Sequence, residues 1–244
     1  MSRFDTTRWS IVLQAQGDDD AARAALASLC RTYRPPVLAY IRSRGYRNDV
    51  AEDLTQTFFT RFIEHEHYGQ ADPARGRFRG YLLTAVKRFL VNVLIESGSV
   101  KRGGRVRFVS LDAGIPDSIE APVSDDDPER VFEQAWALAI VDAAVGRLRD
   151  EAIAAGKIEL FDRLRDFLAE PPTEIEYARV AATLGLRRNT IAVSVHRLRR
   201  RLRELVREEV AQTAADRAAF EMEMGELRVA LGESVRDETA GSDG

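Results

Sequence analysis

The 244-residue sequence has one cysteine, Cys30, so neither a disulfide framework nor a cysteine-built metal site can be assembled from it. Cys30 ends the apolar run Leu26-Ala27-Ser28-Leu29-Cys30 and has no adjacent base, which reads as a packed thiol in a reducing cytoplasm. No uninterrupted apolar run approaches the roughly 20 residues needed to cross a bilayer, and Met1-Ser2-Arg3-Phe4-Asp5 lacks the basic stretch and apolar core of an export signal. A soluble, cytoplasmic protein is expected. There is no nucleophile elbow, and Arg102-Gly103-Gly104-Arg105 has neither a preceding strand nor the lysine of a phosphate-binding loop. Histidine is also scarce: Glu64-His65-Glu66-His67 sets two histidines two apart, on different sides of a helix, a poor chelate. These absences predict no catalytic residue, no cofactor and no metal, and hence a protein that is not an enzyme. No internal repeat is present.

Charge is abundant but unevenly placed. The 36 basic and 39 acidic side chains leave a net charge of −3, yet Arg187 to Arg207 carries eight arginines and His196 against the single acid Glu204. Asp112 to Glu133 is almost purely acidic apart from Arg130. A basic segment preceded by an acidic one suggests a polyanion-binding module behind a solvated linker.

Hydrophobic periodicity divides the chain into helical stretches. Two short helices broken at Gly17-Asp18-Asp19-Asp20 are expected between Trp9 and Leu29, and a third after Pro35-Pro36. Asp49 to His65 carries Val50, Leu54, Phe58 and Phe62 at near-helical spacing, with Asp49 as its cap; Phe78 to Ile95 resumes the pattern after the loop His67 to Gly76. Ser97 to Asp127 is rich in glycine, proline and acid and reads as a tether. Helical spacing returns at Val131, Trp136, Ile140 and Val145, and again from Ile158 to Leu168 before Pro171-Pro172; Ala214 to Leu231 forms one more amphipathic helix ahead of a frayed end. The predicted fold is all-α: two small helical domains, 1–97 and 131–210, joined by a flexible acidic linker, 98–130, and followed by a C-terminal extension, 211–244.

Thr173 to Arg197 has the organisation of a helix-turn-helix. Tyr177, Val180 and Ala181 face a core, Leu184-Gly185-Leu186 supplies a tight turn with glycine where φ is positive, and Ile191 and Val195 anchor the second helix. That helix projects Arg187, Arg188, Asn189, Thr190, Ser194 and Arg197 outward, with Arg188 and Asn189 as candidate base readers in a major groove. Arg197, Arg199, Arg200 and Arg201 would hold phosphates. The competing reading, a solvated face above the inward stripe Val195, Leu198, Leu202 and Leu205, is compatible with DNA contact by the same helix.

The run Ala51-Glu52-Asp53-Leu54-Thr55-Gln56-Thr57-Phe58-Phe59-Thr60-Arg61-Phe62 resembles the polymerase-binding helix of bacterial sigma factors, and Asp72-Pro73-Ala74-Arg75-Gly76-Arg77-Phe78-Arg79-Gly80-Tyr81-Leu82 resembles their promoter-melting segment. With the linker and the C-terminal helix-turn-helix, the layout from about Thr7 to Val210 resembles the extracytoplasmic-function (ECF) group of the sigma-70 family. The resemblance implies that core RNA polymerase and promoter DNA are the partners. Glu52, Asp53, Gln56 and Thr57 would meet the clamp helices of β′, and the second domain would sit on the β flap while Arg187, Arg188, Asn189, Thr190, Ser194, Arg197, Arg200 and Arg201 face the −35 element. Arg75, Arg77, Phe78, Arg79, Tyr81, Lys87, Arg88, Asn92, Lys101 and Arg102 would face the −10 element, with Phe78 and Tyr81 either stacking on splayed bases or, in the competing reading, packing as ordinary core.

One departure from the family pattern bears on regulation. Thr57 stands where a glutamate usually follows the glutamine, and Val50 interrupts the acidic cluster, so charge is missing where basic clamp residues are met. A phosphate on Thr57, on Thr55 or thirdly on Thr60 would supply it, which makes a serine/threonine kinase an expected partner; alternatively Glu52, Asp53 and Gln56 suffice. A helix-turn-helix regulator acting without polymerase, and an adaptor whose arginine-rich helix binds an acidic protein, are the rival readings of the whole chain.

Overall fold

A computed structural model describes residues 20–64, 78–100, 127–170, 172–214 and 216–232. Among these residues the fold is all-α, without a strand, and no helix is long and apolar enough to cross a membrane. The described residues form two compact units: one contains those up to Ala139 together with those from Gln212 onward, and the other runs from Ile140 to Ala211.

The first unit opens with α1 (Asp20–Ser43), which buries Leu29, Tyr33, Val37, Tyr40 and Ile41 on one face. Its course corrects the expectation of a fresh helix after the prolines, because Pro35 and Pro36 lie inside one continuous element. Each proline removes a backbone donor and strains the preceding turn by about 3 kcal/mol. Tyr33, Pro36, Val37, Tyr40 and Ile41 are all buried around that turn, and their packing holds the helix through it. A turn at Gly45 (φ 88°) leads into α2 (Asn48–Glu64), within one residue of the expected span. Asp49 is not the cap but lies in the first turn, 3.5 Å from Arg47.

Helix α2 buries Ala51, Thr55, Phe58 and Phe62, positions that share one face. Helix α3 (Phe78–Val100) turns Phe78, Leu82, Val86, Phe89 and Leu90 inward and runs beyond the expected end at Ile95. Aromatic edges join these helices: Phe58 lies 5.6 Å from Phe89, and Tyr33 is T-shaped on Phe78 at 4.9 Å.

Helix α4 (Pro128–Ala154) begins with proline, whose missing donor is harmless in a first turn, and Asp127 accepts from the Glu129 backbone at 3.1 Å. Its first turns belong to the first unit, since Phe132 and Trp136 are wholly buried there and Phe132 meets Tyr40. The boundary expected at 130/131 is therefore corrected to Ala139/Ile140, inside a helix. The chain re-enters the first unit at Gln212, and α8 (Arg217–Ala230) closes it, capped by Asp216 accepting from Ala219 at 2.8 Å.

The second unit holds the remainder of α4, then α5 (Ile158–Leu164), a 3₁₀ turn (Arg165–Leu168), α6 (Glu174–Leu184) and α7 (Arg188–Ala211). Two apolar clusters support it. Ala144, Leu148, Ala152 and Phe161 pack with Leu205, and Leu164 packs with Ala181, Ile191 and Val195. Helix α7 contributes to both, which ties its whole length to the fold.

Candidate nucleic-acid interface

In the second unit, local chemistry fixes the start of α6 and the turn that ends it. Thr173 accepts from the Glu176 backbone at 3.3 Å while Glu176 accepts from the Thr173 backbone at 2.7 Å, a reciprocal capping box. These hydrogen bonds, the backbone one foremost, hold the Glu176 carboxyl below the usual carboxylate range. Gly185 ends α6 at φ 63°, and Leu186 N–H returns to the Ala181 carbonyl at 2.9 Å. The next residues start α7, so Arg187, Arg188, Asn189 and Thr190 stand exposed together at a helix N-terminus. Ile191 and Val195, buried in the cluster beneath, set the rotation of α7 that presents them.

The arginines of α7 divide into two groups. Arg187, Arg197 and Arg200 are exposed, Arg200 lying 3.7 Å from Glu204, while Arg188 is exposed and paired with Glu174. Ser194 is half-buried and donates to the Thr190 carbonyl. Arg199 donates through Nε to the Phe167 carbonyl at 2.8 Å, which holds the 3₁₀ turn. Arg201 reaches Glu151 at 2.6 Å, Glu204 at 3.1 Å and Glu208 at 3.3 Å, and hydrogen bonds to Glu151 and Glu204 raise its pKa further. Arg147 joins Glu208 at 2.7 Å and Glu209 at 2.9 Å. In this structure the donors of Arg199 and Arg201, expected on phosphates, are engaged by a carbonyl and by carboxylates of the same unit.

In the first unit, the face of α2 opposite its buried stripe carries Asp53, Gln56 and Thr60, exposed, with Glu52 and Thr57 half-buried at its margins. Glu52 is held by Arg34 and, at 3.2 Å, by Arg42, both from α1. Thr55 lies on the other side: it is fully buried and donates to the Ala51 carbonyl at 2.7 Å, so its candidacy for modification is corrected. Cys30 is partly buried, and desolvation pushes its thiol up to about 11.

The residues expected at the −10 element separate sharply. Arg88 and Asn92 are exposed on α3, and Lys87 is half-exposed and paired with Glu129. Tyr81 is half-buried, 6.3 Å from Phe62, and desolvation raises its pKa. Phe78 and Arg79 are core, with exposures of 4% and 2%, which corrects their expected availability. Arg75, Arg77, Lys101, Arg102, the loop His67 to Gly76 and most of the linker lie outside the described residues.

Arg79 is the centre of a cluster that the sequence reading missed. Its guanidinium stacks over the Trp136 ring at 3.8 Å and reaches Glu133 at 2.6 Å, Glu223 at 3.3 Å and Glu226. One signal was available: Glu223 interrupts the stripe Phe220, Met224 and Leu227 at a helical core position, and a buried acid there requires a cation.

The family model described as Sigma-70 region 2 matches residues 29–94, which contain most of α1, all of α2 and most of α3. The ECF RNA polymerase sigma factor SigE of Mycolicibacterium smegmatis is 30% identical to this chain over 212 residues, covering 86% of the chain and 72% of the relative. No solved structure matches. With the helix-turn-helix geometry and the exposed acid-amide face of α2 beside them, these similarities establish that the chain belongs to the ECF group of the sigma-70 family, the RNA polymerase subunits of transcription initiation.

Proposed function

We propose that α2 docks on the β′ clamp helices of core RNA polymerase through Asp53, Gln56 and Thr57, with Glu52 at the margin, while the second unit sits on the β flap and reads the −35 element. The domain roles follow: the first unit for polymerase and the −10 element, the second for the −35 element, acting in the cytoplasm where polymerase works. The observation that carries the reading is the exposed set Arg187, Arg188, Asn189 and Thr190 at the N-terminus of α7, set by a capping box and the Gly185 turn. Arg188 and Asn189 would read base edges, and Arg187, Arg197 and Arg200 would hold phosphates. Arg88, Asn92 and Lys87 on α3, with Arg75, Arg77, Lys101 and Arg102 from the flanking segments, would serve the −10 element.

The threonines of α2 give this reading a finer form. Thr57 borders the exposed face and Thr60 lies on it, whereas Thr55 is inside. Phosphorylation of Thr57 by a serine/threonine kinase would add about −1.5 to −2 charges where the helix lacks an acid. Run-off transcription from a fragmented genomic library, with core polymerase and either the wild-type chain or T57E, tests both levels. Discrete transcripts from either protein support the sigma role, and transcripts only from T57E support the kinase switch. DNA binding with no transcript from either protein would overturn the reading.

A further inference from the structure

Three carboxylates surround one guanidinium in the first unit. Glu133 comes from α4, and Glu223 and Glu226 come from α8, one turn apart. Arg79 lies in sequence between Arg77 and Lys87, both of which the proposed function assigns to the −10 element, and the inference rests on that reading. Helix α8 therefore presents to this arginine what a DNA backbone would: successive oxygen anions spaced along a rod.

The attachment of α8 combines apolar and ionic contacts. Phe220, Met224 and Leu227 bury one stripe of a 14-residue helix, and the turn before it is tied by a hydrogen bond between the Thr213 and Tyr33 side chains. Between those apolar contacts sits a buried ion cluster, which is weak as a source of stability and sensitive to a competing anion. Glu133 and Glu226 retain 34% and 39% side-chain exposure, so the cluster meets water at one edge. Lys87, on the same helix as Arg79, is likewise taken by an acid, Glu129.

We propose that α8 is an intramolecular mimic of the DNA backbone, occupying the phosphate-binding surface of Arg79 and leaving it when promoter DNA is engaged. A free chain is then held in a form with low DNA affinity, and the apparent affinity is reduced by the fraction of chains in which α8 is released.

Two measurements on the full chain test this. A promoter fragment recovered by run-off transcription is titrated with wild type and with E223Q/E226Q. Release of the clamp is expected to tighten binding about tenfold. Unchanged or weaker binding by a variant that keeps the wild-type helical signal and a cooperative melt overturns the clamp. Independently of any variant, hydrogen exchange of residues 217–230 is compared between the free wild-type chain and the transcribing complex with core polymerase. Exchange faster by about tenfold in the complex supports release, and exchange equal to or slower than in the free chain overturns it. R79M/E223Q/E226Q separates the two levels of the argument. If the tighter binding disappears with Arg79, both stand. If it persists without Arg79, the assignment of Arg79 to the DNA surface fails and the proposal falls with it, whereas a gain absent already in E223Q/E226Q removes the clamp alone.

Discussion

The arginines of α7 and the arginine at the start of α3 look alike in sequence and end in opposite situations. At the N-terminus of α7, Arg187 and Arg188 stand in solvent on a scaffold of Ile191 and Val195; Arg79 is sealed between an indole and three carboxylates. The difference lies in what the rest of the chain brings to each. Arg188 meets one exposed acid, Glu174, and exposed pairs of this kind contribute little, so its guanidinium remains available for a ligand. Arg79 meets acids from two other helices, one of them buried, and the desolvation of those groups commits it to the fold in this conformation. Helix α7 repeats the contrast along its own length, since Arg201 and Arg199 are held by internal acceptors while Arg197 is exposed.

The sharpest way to break the comparison is Arg79→Ala. It strands the buried Glu223 carboxylate and is expected to destabilise the first unit by about 3–5 kcal/mol in a denaturant melt at neutral pH; a loss below 1 kcal/mol would place Arg79 among the surface arginines. Next in size, Asn189→Ala should remove about 1–3 kcal/mol of discrimination at one base pair of the −35 element with the melt unchanged. Loss of stability without loss of discrimination would make Asn189 structural.

A paired measurement separates the two classes within α7. Arg201→Gln is expected to lower the stability of the second unit by about 1 kcal/mol and leave DNA affinity nearly intact. Arg197→Gln should leave the melt alone and reduce the salt dependence of DNA binding by about one ion. The opposite pattern would exchange their roles. The smallest effect concerns acid. Hydrogen bonds from Arg201 and Arg147 lower the pKa values of Glu151 and Glu208. Their contribution is complete above the ordinary value of 4.5 and is lost as pH falls through the depressed folded values. Stability of the second unit should therefore decline below about pH 4.5, and Arg201→Gln should flatten that decline in melts across the acid range.

Legibility in the sequence followed the range of the interaction. Leu184-Gly185-Leu186 announces its turn because glycine and its neighbours decide the local backbone, and the spacing of Phe58 and Phe62 places their helix face without further knowledge. Thr55 could have been assigned in the same way, since it shares the face of Ala51, Phe58 and Phe62. The helical course through Pro35-Pro36 was not legible, because packing against distant residues outweighs a local penalty. Nor was the fate of Arg79, whose partner Glu226 lies 147 positions away. An arginine in a sequence carries its charge but not its neighbour, and the neighbour decides whether the guanidinium serves DNA or the core.

The division of α7 has a consequence for how such a protein diversifies. Residues 187–190 have no core duty, while Ile191, Val195 and Leu205 hold the helix in place from beneath. Mutations can accumulate in that first turn without passing through an unfolded ancestor, so, if the turn reads the −35 element as proposed, duplicated copies of the gene can part ways in promoter choice while sharing one stable body. The same separation makes the turn a natural place to retarget the protein by design.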